Sequence, residues 1–429
     1  MTRSTLPALD DYHNGVKDSG QTEGASVSLG RADWHLRANA SVIFYLVAAL
    51  ISGALQRGEH NGQPPWLTVH LLLLGAVTNA IITWSDHFVS ALLWTRSQNH
   101  NRQMAVIVLL NISIVGVLVS VSTYMKWLII FFASLMVGTI IYFLQGISIA
   151  IKRSLNKRFI DLLRYYQFAS LFLLIGITLG VINSFQAHEE LMQPRLALAH
   201  LHANLLGWVG ITVIGTLVTL WPTVLRTPMH PRAIRSAVIG LRFILVGTSI
   251  SIFAAIQDWQ ILFGLSLACY FIGASITLTP AILTMRNKKP DRPGSWMLLT
   301  GAIGLGILLL SDIALQFRYA SPEKILSAIE GHILLLFTLF LFPTLLGALT
   351  YLLPVVLGRG PALNRELETI LSRGWKWRLL ILPLASLFMF FNSLLVNIGR
   401  AMVAISLGAF LILVLTAMVK SARYRVPSQ

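Results

Sequence analysis

The chain has 429 residues, 55% hydrophobic and only 12% charged, with a mean hydropathy of +0.71. Soluble globular domains carry about 25% charged residues, so that class is excluded and a polytopic membrane protein is indicated. The net charge of +16 does not imply nucleic-acid binding, because Lys and Arg gather in short connections between apolar spans, where such charge sets topology.

Residues 1–35 are polar, with Asp10, Asp11, Gly15, Ser19, Gly20 and Ser26, and read as a disordered cytoplasmic tail without a cleavable signal peptide. Apolar stretches of roughly 20 residues then recur, each long enough for a ~30 Å hydrocarbon core. They lie near 38–56, 66–94, 103–123, 126–151, 159–184, 197–225, 236–256, 259–285, 295–317, 329–357, 377–397 and 401–420. Lipid offers no partners to backbone polar groups, so every span should be helical. The expected fold is an all-α polytopic membrane protein: twelve transmembrane helices in three pseudo-repeats of four. The membrane domain covers 36–421, and 422–429 form a C-terminal tail.

Positive charge falls on the N-terminal tail, the C-terminal tail and the even-numbered connections, for example Lys152 to Arg158, Arg226 to Arg235, Arg286 to Arg292 and Arg359 to Arg378. The odd connections hold only Arg57, Lys126, Arg195, Arg318, Lys324 and Arg400. This bias places both termini in the cytoplasm. Trp34, Trp66, Trp94, Trp127 and Trp221 stand at span ends and read as interfacial anchors. Cys269 lies inside a span with no second cysteine to pair with.

The second, sixth and tenth spans each carry a histidine about one turn from their outer end. These are His70, His202 and His332, 132 and 130 residues apart. They open the phrases His70-Leu-Leu-Leu-Leu-Gly75, His202-Ala-Asn-Leu-Leu-Gly207 and His332-Ile-Leu-Leu-Leu-Phe337, and a Gly215…Pro222 segment echoes Gly347…Pro354. Four spans per histidine describe a repeat of about 131 residues. Imidazole in a lipid-buried helix needs a partner, and neutral imidazole is a ligand for haem iron and copper. His200 precedes His202 by two, so the two side chains leave opposite sides of the sixth span. They can serve two flanking sites, one with His70 and the other with His332. The bland alternative is helix packing against hydroxyls and carbonyls.

Asp312, late in the ninth span, can accept from a ligand histidine and orient it, or sit at the interface beside Arg318. Arg400, in the outer connection before the last span, is a cation for haem propionates or an ordinary loop residue. Arg242 is expected to snorkel to the cytoplasmic surface. Tyr165, Tyr166 and Gln167 suit packing or redox roles. His87 is expected at the cytoplasmic end of its span, and His13, His35, His60, His100, His188 and His230 in tails or loops.

Span number, outer-face histidines and the phrase Ala199-His200-Leu201-His202-Ala203-Asn204-Leu205-Leu206-Gly207-Trp208 resemble the catalytic subunit of the haem-copper oxidase superfamily. They are more similar to its divergent NnrS-type relatives and to actinobacterial membrane domains labelled copper oxidase. Trp66 to Trp94, His200 to Thr227 and His332 to Pro361 carry the likeness. The resemblance implies that His70, His200, His202 and His332 are metal or haem ligands. The chain departs from the oxygen reductases: the seventh span has no histidine pair, and the His-x-His lies on the sixth span instead of the tenth. No buried acidic chain is visible, so proton pumping is not expected.

Three functions compete. The first is a haem-binding, haem/copper-capable redox protein in nitrogen-oxide or oxygen-linked electron transfer, served by a quinol or by an extracytoplasmic copper protein or cytochrome. The second is a haem or copper handling or assembly protein. The third is a twelve-helix secondary transporter, with Pro222, Pro280, Pro343 and Pro354 as candidate helix breaks.

Overall fold

A backbone with no water to bond must satisfy itself, and the computed structural model answers this with helices; no strand occurs among the described residues. The structure describes residues 30–55, 66–94, 100–186, 191–331, 333–388, 391 and 393–424. The helices are α1 (Arg31–Leu55), α2 (Trp66–Leu93), α3 (His100–Ser122), α4 (Lys126–Arg153), α5 (Ile160–Phe185), α6 (Met192–Leu225) and α7 (Ala233–Gln257). They continue as α8 (Gln260–Thr284), α9 (Pro293–Arg318), the short α10 (Pro322–Gly331), α11 (Ile333–Leu357), α12 (Pro361–Leu371), α13 (Trp375–Phe388) and α14 (Ser393–Arg423).

Eleven of these helices are long and apolar enough to cross a membrane among the described residues: all but α10, α12 and α13. Large apolar side chains stand exposed along their outward faces, among them Phe44, Ile112, Phe131, Ile261, Leu310 and Ile405. Such continuous apolar surface needs a lipid partner. The chain is therefore an all-α, multi-pass membrane protein. α13, where an eleventh span was expected over 377–397, has 14 residues with Pro383 inside. At 1.5 Å per residue it is only about 21 Å long.

Contacts between helix ends sort the ends onto two faces. Asp33 at the start of α1 pairs with Arg359 just past α11. The Ser421 hydroxyl near the end of α14 donates to the Leu357 carbonyl at the end of α11, 2.7 Å away, and Lys420 pairs with Glu366 of α12. Asn156, just after α4, donates to Leu92 at the end of α2. This is the face whose connections carry most of the Lys and Arg, hereafter the basic face. On the opposite face, Arg195 at the start of α6 pairs with Asp258, which caps α7 in left-handed conformation, at 2.9 Å.

Three helices change winding at related places. α2 is π-helical over Leu71–Val77, α6 over Ala203–Gly210 and α11 over Leu336–Leu341. Each π segment packs on the preceding long span, α1, α5 and α9 respectively. A π turn inserts one residue and disturbs the regular backbone bonding, and neighbouring side chains attend to it. Thr78 Oγ1 donates to the Leu73 carbonyl, Asn79 Nδ2 to Gly75, and the Tyr270 hydroxyl to Leu206.

Glycines permit the close approach. A Cβ on Gly75 would lie 2.5 Å from Tyr45 of α1, and one on Gly207 2.5 Å from Cβ of Phe172 of α5. The third phrase has Phe337 in place of glycine, and there α9 supplies the space: a Cβ on Gly304 would fall 2.0 Å from the Leu339 carbonyl oxygen. Pro222, Pro280 and Pro354 lie inside continuous helices, and Pro343 opens the α-helical part that follows the π segment of α11.

Several expectations need correction. α1 begins at Arg31, inside the segment read as a tail, and α14 runs to Arg423. Residues 1–29 and 425–429 lie outside the described residues. Arg400 belongs to α14 and not to a loop, because the last helix starts eight residues earlier than hydropathy suggested. Trp34 and Trp221 are core residues, each 4% exposed, whereas Trp66, Trp94 and Trp127 are exposed. Arg242 is exposed on α7.

Candidate functional site

His70 sits in the first turn of α2 and His200 in the third turn of α6, both near the face opposite the basic one. Their rings come together with centroids 6.4 Å apart and planes 23° apart. The Nδ1 of His70 bonds the Trp66 carbonyl one turn back, at 2.8 Å, and the indole of Trp66 stacks on the ring at 4.2 Å. The Nδ1 of His200 bonds the Gly176 carbonyl of α5, also at 2.8 Å. A carbonyl accepts only from N–H, so both rings carry the proton on Nδ1 and present Nε2 as the basic nitrogen.

Small residues and an amide shape the surroundings of His200. A Cβ on Gly180 would fall 2.8 Å from its Cε1. Asn204 Nδ2 donates to the His200 backbone carbonyl at 2.8 Å and lies 3.3 and 3.5 Å from the two ring nitrogens. From the π segment of α6, the Trp208 indole donates to Thr78 Oγ1 of α2 at 3.2 Å. This bond ties the two histidine-bearing helices together just below the rings.

His202 turns the other way, as the 200° step predicts, and meets α9. Its Nε2 lies 2.8 Å from Asp312 Oδ2, its Nδ1 lies 2.8 Å from the Leu198 carbonyl, and Phe263 stands edge-on at 4.8 Å. Both ring nitrogens face acceptors, so neither offers a lone pair while these contacts hold. Asp312 in turn accepts from Gln316 at 3.1 Å.

His332 lies outside the described residues. Glu330, two residues earlier on α10, is exposed, and desolvation by the surrounding chain raises its carboxyl above the ordinary range. Arg400 on α14 makes no hydrogen bond or ion pair among the described residues. Among the described residues no three His, Cys, Asp or Glu side chains converge as a metal centre would require. Tyr165 and Tyr166 serve packing: their hydroxyls bond the Ala237 carbonyl and Thr277, and Thr216, respectively.

A second ring cluster escaped the sequence reading. Near the basic face His35 of α1 stacks on Trp84 of α2 at 5.2 Å and meets His87 at 5.5 Å, while Trp34 stacks on His100 of α3 at 6.2 Å. The missed signal was the helical spacing of Trp84 and His87 on one side of α2. His87 lies 17 residues beyond His70, about 25 Å along the helix.

No protein-family model matches this chain, and no curated protein matches it.

Proposed function

We propose that the chain is a haem-binding membrane redox protein, akin to the NnrS-type and actinobacterial relatives of the haem-copper oxidases, in which His70 and His200 hold the haem iron. The supporting observation is the imidazole pair. Two imidazoles this close, each with an unprotonated nitrogen, would be able to hold one iron between them. The observed pair stands at 6.4 Å, and each ring spends Nδ1 on a backbone carbonyl. That is the arrangement that fixes tautomer and ring direction in metal-bound histidine. Haem held by two histidines supplies one-electron transfer. The protein's part is positional: Trp66 backs one ring, Asn204 and Gly176 seat the other, and the Trp208–Thr78 bond sets the spacing between the helices.

His202 has a different role in this reading. Its bond to Asp312 locks α6 to α9 beside the haem site, so it supports the site without ligating the iron. A quinol, or a copper protein or cytochrome on the outer side, is the electron partner this function requires. The same two-histidine pairing also suits a haem-handling protein, which would bind without turnover.

We further propose twelve crossings with both termini in the cytoplasm of a bacterial inner membrane. The 31-residue α14 ends beside the end of α11, so its start lies about 45 Å away at the opposite face. A crossing by the chain through α13 is the reading this supports. The basic face, by the distribution of Lys and Arg, is the cytoplasmic one.

The test is a visible spectrum with iron quantification on full-length protein expressed with ample haem. The expected result is a Soret band and reducible α/β bands, lost in His70→Ala and in His200→Ala. Colourless, iron-free native protein would sink the proposal.

A further inference from the structure

Between α6, α8 and α9, in the half of the molecule nearer the basic face, lies a cleft of about 240 Å³. Its wall is apolar and includes Leu217, Phe271, Leu278, Leu299 and Leu309, with Trp221 at its lower end. Ser275, Thr279, Ile282 and Ile303 form an exposed rim, so the cleft opens on the lipid-facing surface. No lining residue is charged.

Trp221 is 4% exposed, and its indole N–H is buried without an acceptor. The indole nitrogen is enclosed by the protein, so the slot meets the ring of Trp221 and not its N–H. Trp221 stands four residues before the end of α6, at the depth where the hydrocarbon core gives way to the polar region.

Cations lie immediately beyond that depth. Arg226 caps α6 in left-handed conformation, and Arg286 and Lys289 follow the end of α8. All three are exposed, and none makes an ion pair among the described residues, whereas nearby Lys288 pairs with Asp291 and Arg292 with Glu368. Along the membrane normal the surface therefore offers an apolar slot, then an aromatic ring, then positive charge.

We propose that this cleft binds an anionic diacyl phospholipid: one acyl chain fills the slot against the ring of Trp221, and the phosphate meets Arg226, Arg286 and Lys289. Each layer of the lipid finds its complement in order. An uncharged acyl chain or a prenylquinone fills the slot and leaves the cations unanswered. Basic residues at the end of an interhelical slot are a recurrent means of holding anionic lipid. The proposal does not depend on the redox reading.

The test uses full-length protein in nanodiscs containing equal amounts of phosphatidylglycerol and phosphatidylcholine, with native mass spectrometry of retained lipid. Each surface cation is worth about 1 kcal/mol, roughly a five-fold change, toward anionic lipid. Phosphatidylglycerol should therefore be retained at least about five-fold over phosphatidylcholine, and Arg286→Gln with Lys289→Gln should abolish most of that preference. Phosphatidylglycerol with brominated acyl chains should quench a fluorescence component that is missing in Trp221→Phe. The two cations are exposed, so their replacement leaves the core intact. Equal retention of the two lipids, an unchanged preference in the double variant, or displacement of phosphatidylglycerol by equimolar prenylquinone would each overturn the proposal.

Discussion

Asp312 Oδ2 lies 2.8 Å from His202 Nε2 and so joins α9 to α6 across 110 residues of sequence. The ring is 1% exposed and the carboxylate 18%. Truncating either partner strands the other in a poorly hydrated site. Asp312→Ala or His202→Ala should lower stability by about 2 kcal/mol, a typical loss for a hydrogen bond to a charged group. Thermal unfolding in detergent measures this.

The two histidine roles separate in cofactor content. His202→Ala should retain haem in proportion to the folded protein recovered, whereas His70→Ala and His200→Ala should lose it even when well folded. Iron per chain, normalised by helical circular dichroism, makes the distinction. Equal loss in all three variants would return His202 to the ligand set.

Close packing at the π segments makes another prediction. Gly207→Ala drives a methyl group to 2.5 Å from Phe172, and Gly75→Ala does the same against Tyr45. Overpacking of this kind costs about 1–3 kcal/mol. Gly138→Ala meets nothing within 4 Å and serves as the control, expected to be neutral or slightly stabilising. Melting temperatures of the three variants give the comparison.

Sidedness can be read by thiol labelling in a Cys269→Ser background. Lys289→Cys and Arg423→Cys should label from the cytoplasmic side, and Tyr124→Cys from the outside. Labelling of Arg423→Cys from the outside would mean that the segment through α13 does not cross.

The spans were legible because lipid demands long apolar helices, and that demand is written in composition alone. The pairing of His200 with His70 was legible in part, since a two-residue step must send His200 and His202 to opposite sides. The partner of His202 was only guessed: Asp312 could be named as an acceptor, but proximity across 110 residues is a property of packing. Trp34 and Trp221 misled because a tryptophan at a span end looks the same whether it faces headgroups or the core. The π segments had no signature at all, since Leu71–Val77 and Ala203–Gly210 are as apolar as any ordinary turn. His35 was hidden by the polar start of α1, which resembles a tail until the helix is seen to begin at Arg31.

One extra residue in a helix rotates everything beyond it by about 100°. In α2 and α6 this phase step falls directly below the imidazoles, so their aim is uncoupled from the seating of the lower helix. Deleting one residue from Leu71–Val77 should leave the lower seam of α2 in register and swing His70 away from His200. The direction of the ring is thus encoded by length instead of identity, and a family alignment that tolerates gaps at this position would erase it.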